Sequence, residues 1–251
     1  MKIQLIRHAT LLVTFHGQTL IVDPMLSDKG TMPAVFNTAN QVANPLVSFP
    51  FDVEPLLSSL DGIIVTHLHP DHLDAAALER LPKHVPLFCQ PCDVEQLTAH
   101  GFKQVLPVES TVSWQGISLS RTGGQHGTGE IGQMMGNVAG FVLEATDEPT
   151  TYIAGDTIWC EDVKNAIDRF HPSVIAVNAG AAQFLVGDPI TMDANDVASV
   201  CRYAPGAHIL PVHLETWNHC FLTRAALQES LQAAGLTEQV TILADGAVFT
   251  R

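Results

Sequence analysis

Thr66-His67-Leu68-His69-Pro70-Asp71-His72-Leu73-Asp74 is the stretch whose reading decides the fold of this 251-residue chain. An apolar run, Gly62-Ile63-Ile64-Val65, leads into it, and a helix-like run from Leu73 to Leu81 leads out. The stretch therefore reads as the loop where a buried strand hands over to a helix. His67, His69, Asp71 and His72 can all bind metal. Four such groups within six positions cannot converge on one ion from a regular helix or strand, because their side chains diverge. A tight loop can fan them out, two toward one ion and two toward a neighbour, as a two-metal hydrolase requires. A surface histidine cluster or a structural zinc loop would be the plainer explanations. Structural zinc sites favour thiolates and close all four positions, and this loop contains no Cys.

Composition narrows the function classes. The net charge is −14, and the 12 Lys and Arg are scattered without a basic run, so no nucleic-acid-binding face is expected. Hydrophobic content of 46% and charged content of 15% describe a globular chain with a well-filled core. Arg7 and His8 interrupt the short apolar N-terminus, so it is no signal peptide. No run approaches the roughly 20 apolar residues of a membrane span. A cytoplasmic location and no membrane association follow as expectations. The five Cys are odd in number and unclustered, which fits reduced thiols. The redox-like spacing Cys89-Gln90-Pro91-Cys92 reads as incidental.

Working outward from the loop, residues 2–6, 10–15 and 18–23 read as an opening β-meander that Pro24 stops after Asp23. Residues 24–50 form a long stretch rich in Asn, Pro, Ser and Thr with Met and Phe mixed in. It reads equally as one wall of a substrate pocket or as a wrap across a sheet. Helices are expected at 53–60, 73–81, 93–100, 158–170, 193–203 and 223–234. Strands are expected near 87–88 and 104–106, then at 111–114, 117–121, 137–144, 150–154, 173–177, 207–212, 240–243 and 247–249. Residues 127–136 read as a Gly-rich loop suited to a pocket rim. This order suggests an α/β (α+β) arrangement of mixed sheets covered by helices, in one domain over 1–251.

The motif His-x-His-x-Asp-His resembles the signature of the metallo-β-lactamase superfamily. That resemblance implies a four-layer αββα sandwich with its site along one sheet edge, and further ligands at the ends of downstream strands. His126, in Gly124-Gln125-His126-Gly127, stands just past the strand ending at Arg121, and His213 follows the strand 207–212. Asp156, in Ala154-Gly155-Asp156, matches the bridging aspartate of the superfamily; it could also cap the helix expected from Ile158. By this analogy His67, His69 and His126 hold a first divalent ion, Asp71, His72 and His213 a second, and Asp156 bridges. Zinc is the first expectation, with manganese or iron open. Asp23 and Asp74 are expected to support the ligands from behind, although Asp74 also suits a helix start. Arg7-His8-Ala9-Thr10 resembles the Gly-His-Ser/Ala element of the branch that includes ascorbate-6-phosphate lactonases, with Arg7 in place of the glycine, which makes His8 a candidate to face the site.

The chemistry implied is hydrolysis by a metal-activated hydroxide, with Asp71 orienting the nucleophile and His219 binding substrate or acting as an acid. The expected substrate is a small molecule: an ester, lactone or phosphoester. Iron-dependent sulfur dioxygenation and a phosphodiesterase acting on small nucleotides or phospholipids are the competing readings. A homo-oligomer is left open.

Overall fold

The computed structural model describes residues 1–251 and holds two mixed β-sheets packed face to face, with helices on both outer faces. The first sheet begins with β1 (Lys2–Arg7), β2 (Thr10–Phe15) and β3 (Gln18–Val22), an antiparallel meander. It continues in parallel through β4 (Gly62–Ile64), β5 (Leu87–Cys89) and β6 (Val105–Pro107). The second sheet runs antiparallel through β7 (Thr111–Trp114), β8 (Ile117–Thr122), β9 (Gly140–Glu144) and β10 (Thr151–Ile153). It then turns parallel in β11 (Val174–Asn178) and β12 (His208–Val212). The last strand, β13 (Val248–Thr250), returns to the first sheet and pairs antiparallel with β1.

Alternation along the strands builds three apolar layers, as a period of two demands. Leu11, Val13 and Phe15 point between the sheets, where they meet Leu119, Phe141 and Ala176. Leu12 and Ile63 face outward, under α1 (Glu54–Leu57), α2 (Ala75–Arg80) and α3 (Val94–Ala99). On the opposite side Ile175, Val177 and Ile209 are covered by α5 (Glu161–Phe170), α6 (Ala194–Tyr203) and α7 (Arg224–Ala233). This is the expected four-layer sandwich. No helix is long and apolar enough to cross a membrane.

Four local expectations need correction. Residues 127–136 are not all loop: α4 spans Gly129–Met135. Glu130 to Met135 includes good helix formers, and Gly129 and Gly136, both at positive φ, bound the turn. The helix expected over 53–60 is one turn. The helix after Asp156 starts at Glu161, with Cys160 at its cap position, so Asp156 lies too far upstream to cap it. Residues 240–243 contribute one bridge, Val240 to Ile209, and no strand.

Phe141 is fully buried in the central layer. Phe141→Ala is expected to cost about 3–5 kcal/mol, seen as a lower midpoint in denaturant unfolding. A change below 1 kcal/mol would show that this layer collapses around the gap and is less tightly packed than described.

Candidate metal centre

Strand ends bring the candidate residues together. His8 follows β1, Asp23 follows β3, His67 to His72 follow β4, His126 follows β8, Asp156 follows β10 and His213 follows β12. All sit at one edge of the sandwich, and three of them hold strained backbone: His8, Asp23 and His213 have φ of 57°, 45° and 67°. Such values in residues other than glycine persist only where the surroundings enforce them. Gly155 and Gly180 let the chain close in. A Cβ on Gly155 would stand 2.4 Å from the Ala139 carbonyl oxygen, and one on Gly180 2.4 Å from that of His213.

The donor atoms fall into overlapping groups, each within 4.8 Å: His67, His69 and His126; His67, His72 and Asp156; and His8, Asp71, His72 and His213. Asp156 joins them. Its Oδ2 lies 3.2 Å from His72 Nε2 and 3.4 Å from His126 Nε2, and its Oδ1 lies 3.4 Å from His213 Nε2. His8 enters more deeply than a supporting role required. Its Nε2 is 3.3 Å from Asp71 Oδ2 and its ring centroid is 3.7 Å from that of His213.

The ring nitrogens facing away from the cage are held by the fold. His72 Nδ1 donates to Asp23 Oδ2 at 2.8 Å, and His126 Nδ1 donates to the Ile190 carbonyl at 2.7 Å. Thr66 gives its one hydroxyl proton to Asp23 Oδ2 at 2.8 Å, so it accepts from His67 Nδ1 at 3.0 Å. Each contact turns Nε2 inward, where it can coordinate a cation once it carries no proton. His213 Nδ1 lies 3.4 Å from Cys220 Sγ, and Asn178 Nδ2 donates to Asp156 Oδ1 at 2.6 Å.

This arrangement fits divalent cations. The Nε2 atoms of His72 and His213 are buried with no hydrogen-bond partner, although carboxylate oxygens stand nearby. Imidazole and carboxylate donors without thiolate suit zinc, manganese or iron. The charges agree: burial would raise Asp71 and Asp156, but neighbouring imidazoles, His72 foremost for Asp71 and His213 for Asp156, hold both well below the usual carboxylate range. Burial would lower His72, but Asp156, Asp23 and Asp71 outweigh it and push the group up to about 10. His213 is likewise raised, against burial, chiefly by Asp156. His8 and His67 stay low, through burial first and then through the neighbouring rings of His213 and His72.

Asp74 does not support the cage as expected. It caps α2 through Ala77 N and holds the backbone N–H groups of Leu26 and Ser27 at 3.0 and 2.7 Å. Residues 24–50 serve both roles foreseen for them. Met32 to Val35 line a cavity of about 300 Å³ above the cage, facing Met135, Phe184, Ile190, Trp217 and His219. The rest wraps the sheet edge, fixed by two residues that sequence reasoning gave no such role. Arg7 is fully buried. It donates to the carbonyls of Val47 (3.0 Å), Met25 and Ser27, and lies 3.6 Å from the Phe49 ring centroid. Burial pulls its guanidinium down to about 10, still charged at neutral pH. Asn218 uses every group of its amide: Oδ1 accepts from Val35 N and Asn44 Nδ2, and Nδ2 donates to Thr38 Oγ1 and the Asn40 carbonyl. Arg7 stands where the resembling motif has glycine, and that departure is the one local signal that could have pointed to it.

Two mixed sheets, outer helices and a buried His/Asp cage on their common edge are the features of a metal-dependent hydrolase of the metallo-β-lactamase fold, and residues 18–214 match the model of the Beta-lactamase superfamily domain. The chain is 37% identical to UPF0173 protein YddR of Bacillus subtilis over 100% of both proteins. A crystal structure from Veillonella parvula, described as a possible metal-dependent hydrolase, superposes with a TM-score of 0.97 at 35% identity, covering 100% of this chain and 99% of that one. An isothiocyanate hydrolase from Delia radicum gut bacteria superposes with a TM-score of 0.95 at 33% identity and the same coverage. The chain belongs to the UPF0173 family of metal-dependent hydrolases.

Two outcomes follow. His72, pushed up to about 10, carries a proton at neutral pH when no cation is bound, and His213 is shifted in the same direction, so cation binding competes with protons. Apparent zinc affinity is therefore expected to rise with pH toward about 10. Calorimetry in buffers of different ionisation enthalpy should register proton release at pH 7, and release of none would refute this charge state. Separately, Asn218→Ala is expected to cost about 2–4 kcal/mol, since it strands buried partners. It should also speed thermolysin cleavage within 32–46; an unchanged cleavage pattern would remove Asn218 as the clamp.

Proposed function

We propose that this protein is a dinuclear metal hydrolase acting on a small, uncharged, apolar electrophile, with an organic isothiocyanate as the first candidate. The observation that carries this reading is the cavity wall. Its lining includes Met32, Val35, Met135, Phe184, Ile190 and Trp217 and no Lys or Arg, while His69, Asp71, His126 and Asp156 reach it from the cage. A substrate with a phosphate would find no cationic side chain there. A lactone that carries a separate phosphate is disfavoured accordingly, because that phosphate would lie against the apolar wall; a phosphodiester whose scissile group sits on the cage, and an uncharged lactone or ester, remain compatible. The isothiocyanate hydrolase that superposes over the full chain supports the candidate.

In this reading His67, His69 and His126 would hold one cation and Asp71, His72 and His213 the other, with Asp156 available to both. When bound, such cations supply Lewis-acid polarisation and a nucleophilic hydroxide at neutral pH. The overall reaction consumes one water: R–N=C=S + H2O gives R–NH2 + COS. A C–O bond forms at the central carbon, the C–N bond breaks, and both protons of the water end on nitrogen. Asp71, with Oδ2 3.4 Å from His213 Nε2 and 3.3 Å from His8 Nε2, orients the nucleophile. His219 lies in the cavity wall with Nδ1 buried and unpartnered. Burial lowers its pKa to about 4, so it is neutral at pH 7 and relays a proton to the leaving nitrogen only by taking one up at its other ring nitrogen in the same step. Trp217, in the same wall, also has a buried Nε1 without a partner.

The test is turnover by zinc-, manganese- and iron-loaded protein of an aryl isothiocyanate, a small lactone and an activated phosphodiester. Isothiocyanate turnover is expected, abolished by Asp71→Ala. His219→Gln should lower kcat by about 10²–10⁴-fold while leaving metal content unchanged. Phosphodiester turnover alone would overturn the substrate assignment, and an unchanged kcat in His219→Gln would remove its catalytic role.

A further inference from the structure

Four side chains stand out among the exposed large apolar residues: Phe36 (87%), Met134 (78%), Val186 (71%) and Leu185 (62%) are the most exposed in the chain. They are not scattered. Phe36, Met134 and Leu185 are the immediate sequence neighbours of Val35, Met135 and Phe184, which line the cavity. The three segments that carry them touch. Leu185 N donates to the Asn37 carbonyl at 2.9 Å. Gly187 lies so close to α4 that a Cβ there would stand 2.3 Å from Ile131 Cδ1. The most exposed apolar side chains therefore stand on the three adjoining segments whose neighbouring residues line the cavity.

Isolated exposed apolar residues need no explanation, but a group of them around one pocket mouth marks a binding surface. Its chemistry is specific. Residues 30–46, 127–137 and 179–192 contain no Lys or Arg, so the rim offers nothing to an anionic headgroup, and a net charge of −14 opposes an anionic membrane. Four side chains also fall far short of the roughly 20–30 residues per side of a stable protein interface. We propose that Phe36, Met134, Leu185 and Val186 form an outer subsite for an uncharged apolar tail of the substrate, continuous with the inner cavity that takes the reactive group. This deepens the assignment above and rests on that cavity being the substrate site.

The experiment uses metal-loaded, full-length protein and n-alkyl hydroxamates from acetyl to decanoyl, whose headgroup chelates metal whatever the natural reaction. Binding is followed by calorimetry in wild type and in the double variant Phe36→Ser, Leu185→Ser, exposed positions at which folding is little affected. Short members should gain affinity with each methylene equally in both proteins. Long members should go on gaining, by up to about fourfold per methylene, in wild type only. A wild-type plateau at the same chain length as the variant would overturn the proposal. So would a sedimentation mass that halves in the variant, which would assign the rim to a second copy of the chain. Short hydroxamates that fail to bind would remove the cavity itself as the site. Length-dependent binding without isothiocyanate turnover would refute the reaction while leaving the subsite in place.

Discussion

Two buried carboxylates face six imidazoles, and that concentration of donors is the constraint on which the rest of the structure depends. Asp71 and Asp156 lie within a few ångströms of His72, His126 and His213 in surroundings that leave these groups almost no solvent. Burying charge is costly unless it is compensated. Without a cation the compensation is imidazolium against carboxylate, which is why the pKa values of His72 and Asp71 move in opposite directions. With cations the same donors are already converged. The cage is therefore charged and preorganised before any ion arrives.

Preorganisation comes from a second ring of contacts that belongs to the sandwich. Asp23 grips Thr66 and His72 together, so one carboxylate fixes the ends of two adjacent parallel strands and the tautomer of a ring. Ile190 does the same for His126 with a main-chain carbonyl, and Asn178 steadies Asp156 from the end of β11. On the open side, Arg7 and Asn218 hold the long wrap of residues 24–50 down, and thereby set the apolar wall opposite the cage. The cavity owes its floor to the sheets and its wall to these two buried polar side chains.

The legibility of the chain follows the range of the interactions. The loop 66–74 could be read because its ligand spacing and its apolar lead-in are local. His126, Asp156 and His213 could be placed because each follows a strand that hydrophobic runs reveal. The four layers were accessible through the resemblance, whereas the unbroken apolar run Leu11-Leu12-Val13 marks a strand buried on both faces without saying what covers it. Positions set by distant partners were not legible. The clamp at Asn218 depends on residues about 180 positions away. Arg7 is decipherable only once the wrap lies over it, and the apolar rim requires three separated segments to meet. Asp74 misled because a helix cap and a support carboxylate have the same local signature. Residues 240–243 carry strand composition, but only Val240 pairs.

The donors of the cage are drawn from positions 67 to 213, with His8 beside them, and this spread has a kinetic consequence. No short contiguous fragment contains a complete set, so the chain must close long loops and pair distant strands before the cage exists. A cation has no preformed site in the unfolded chain, and its full contribution arrives only when both sheets have met. Contacts formed after the folding barrier slow unfolding without hastening folding. Bound metal thus acts on this protein as a latch on the finished structure: it lengthens the lifetime of the native state and leaves the route to it largely unchanged.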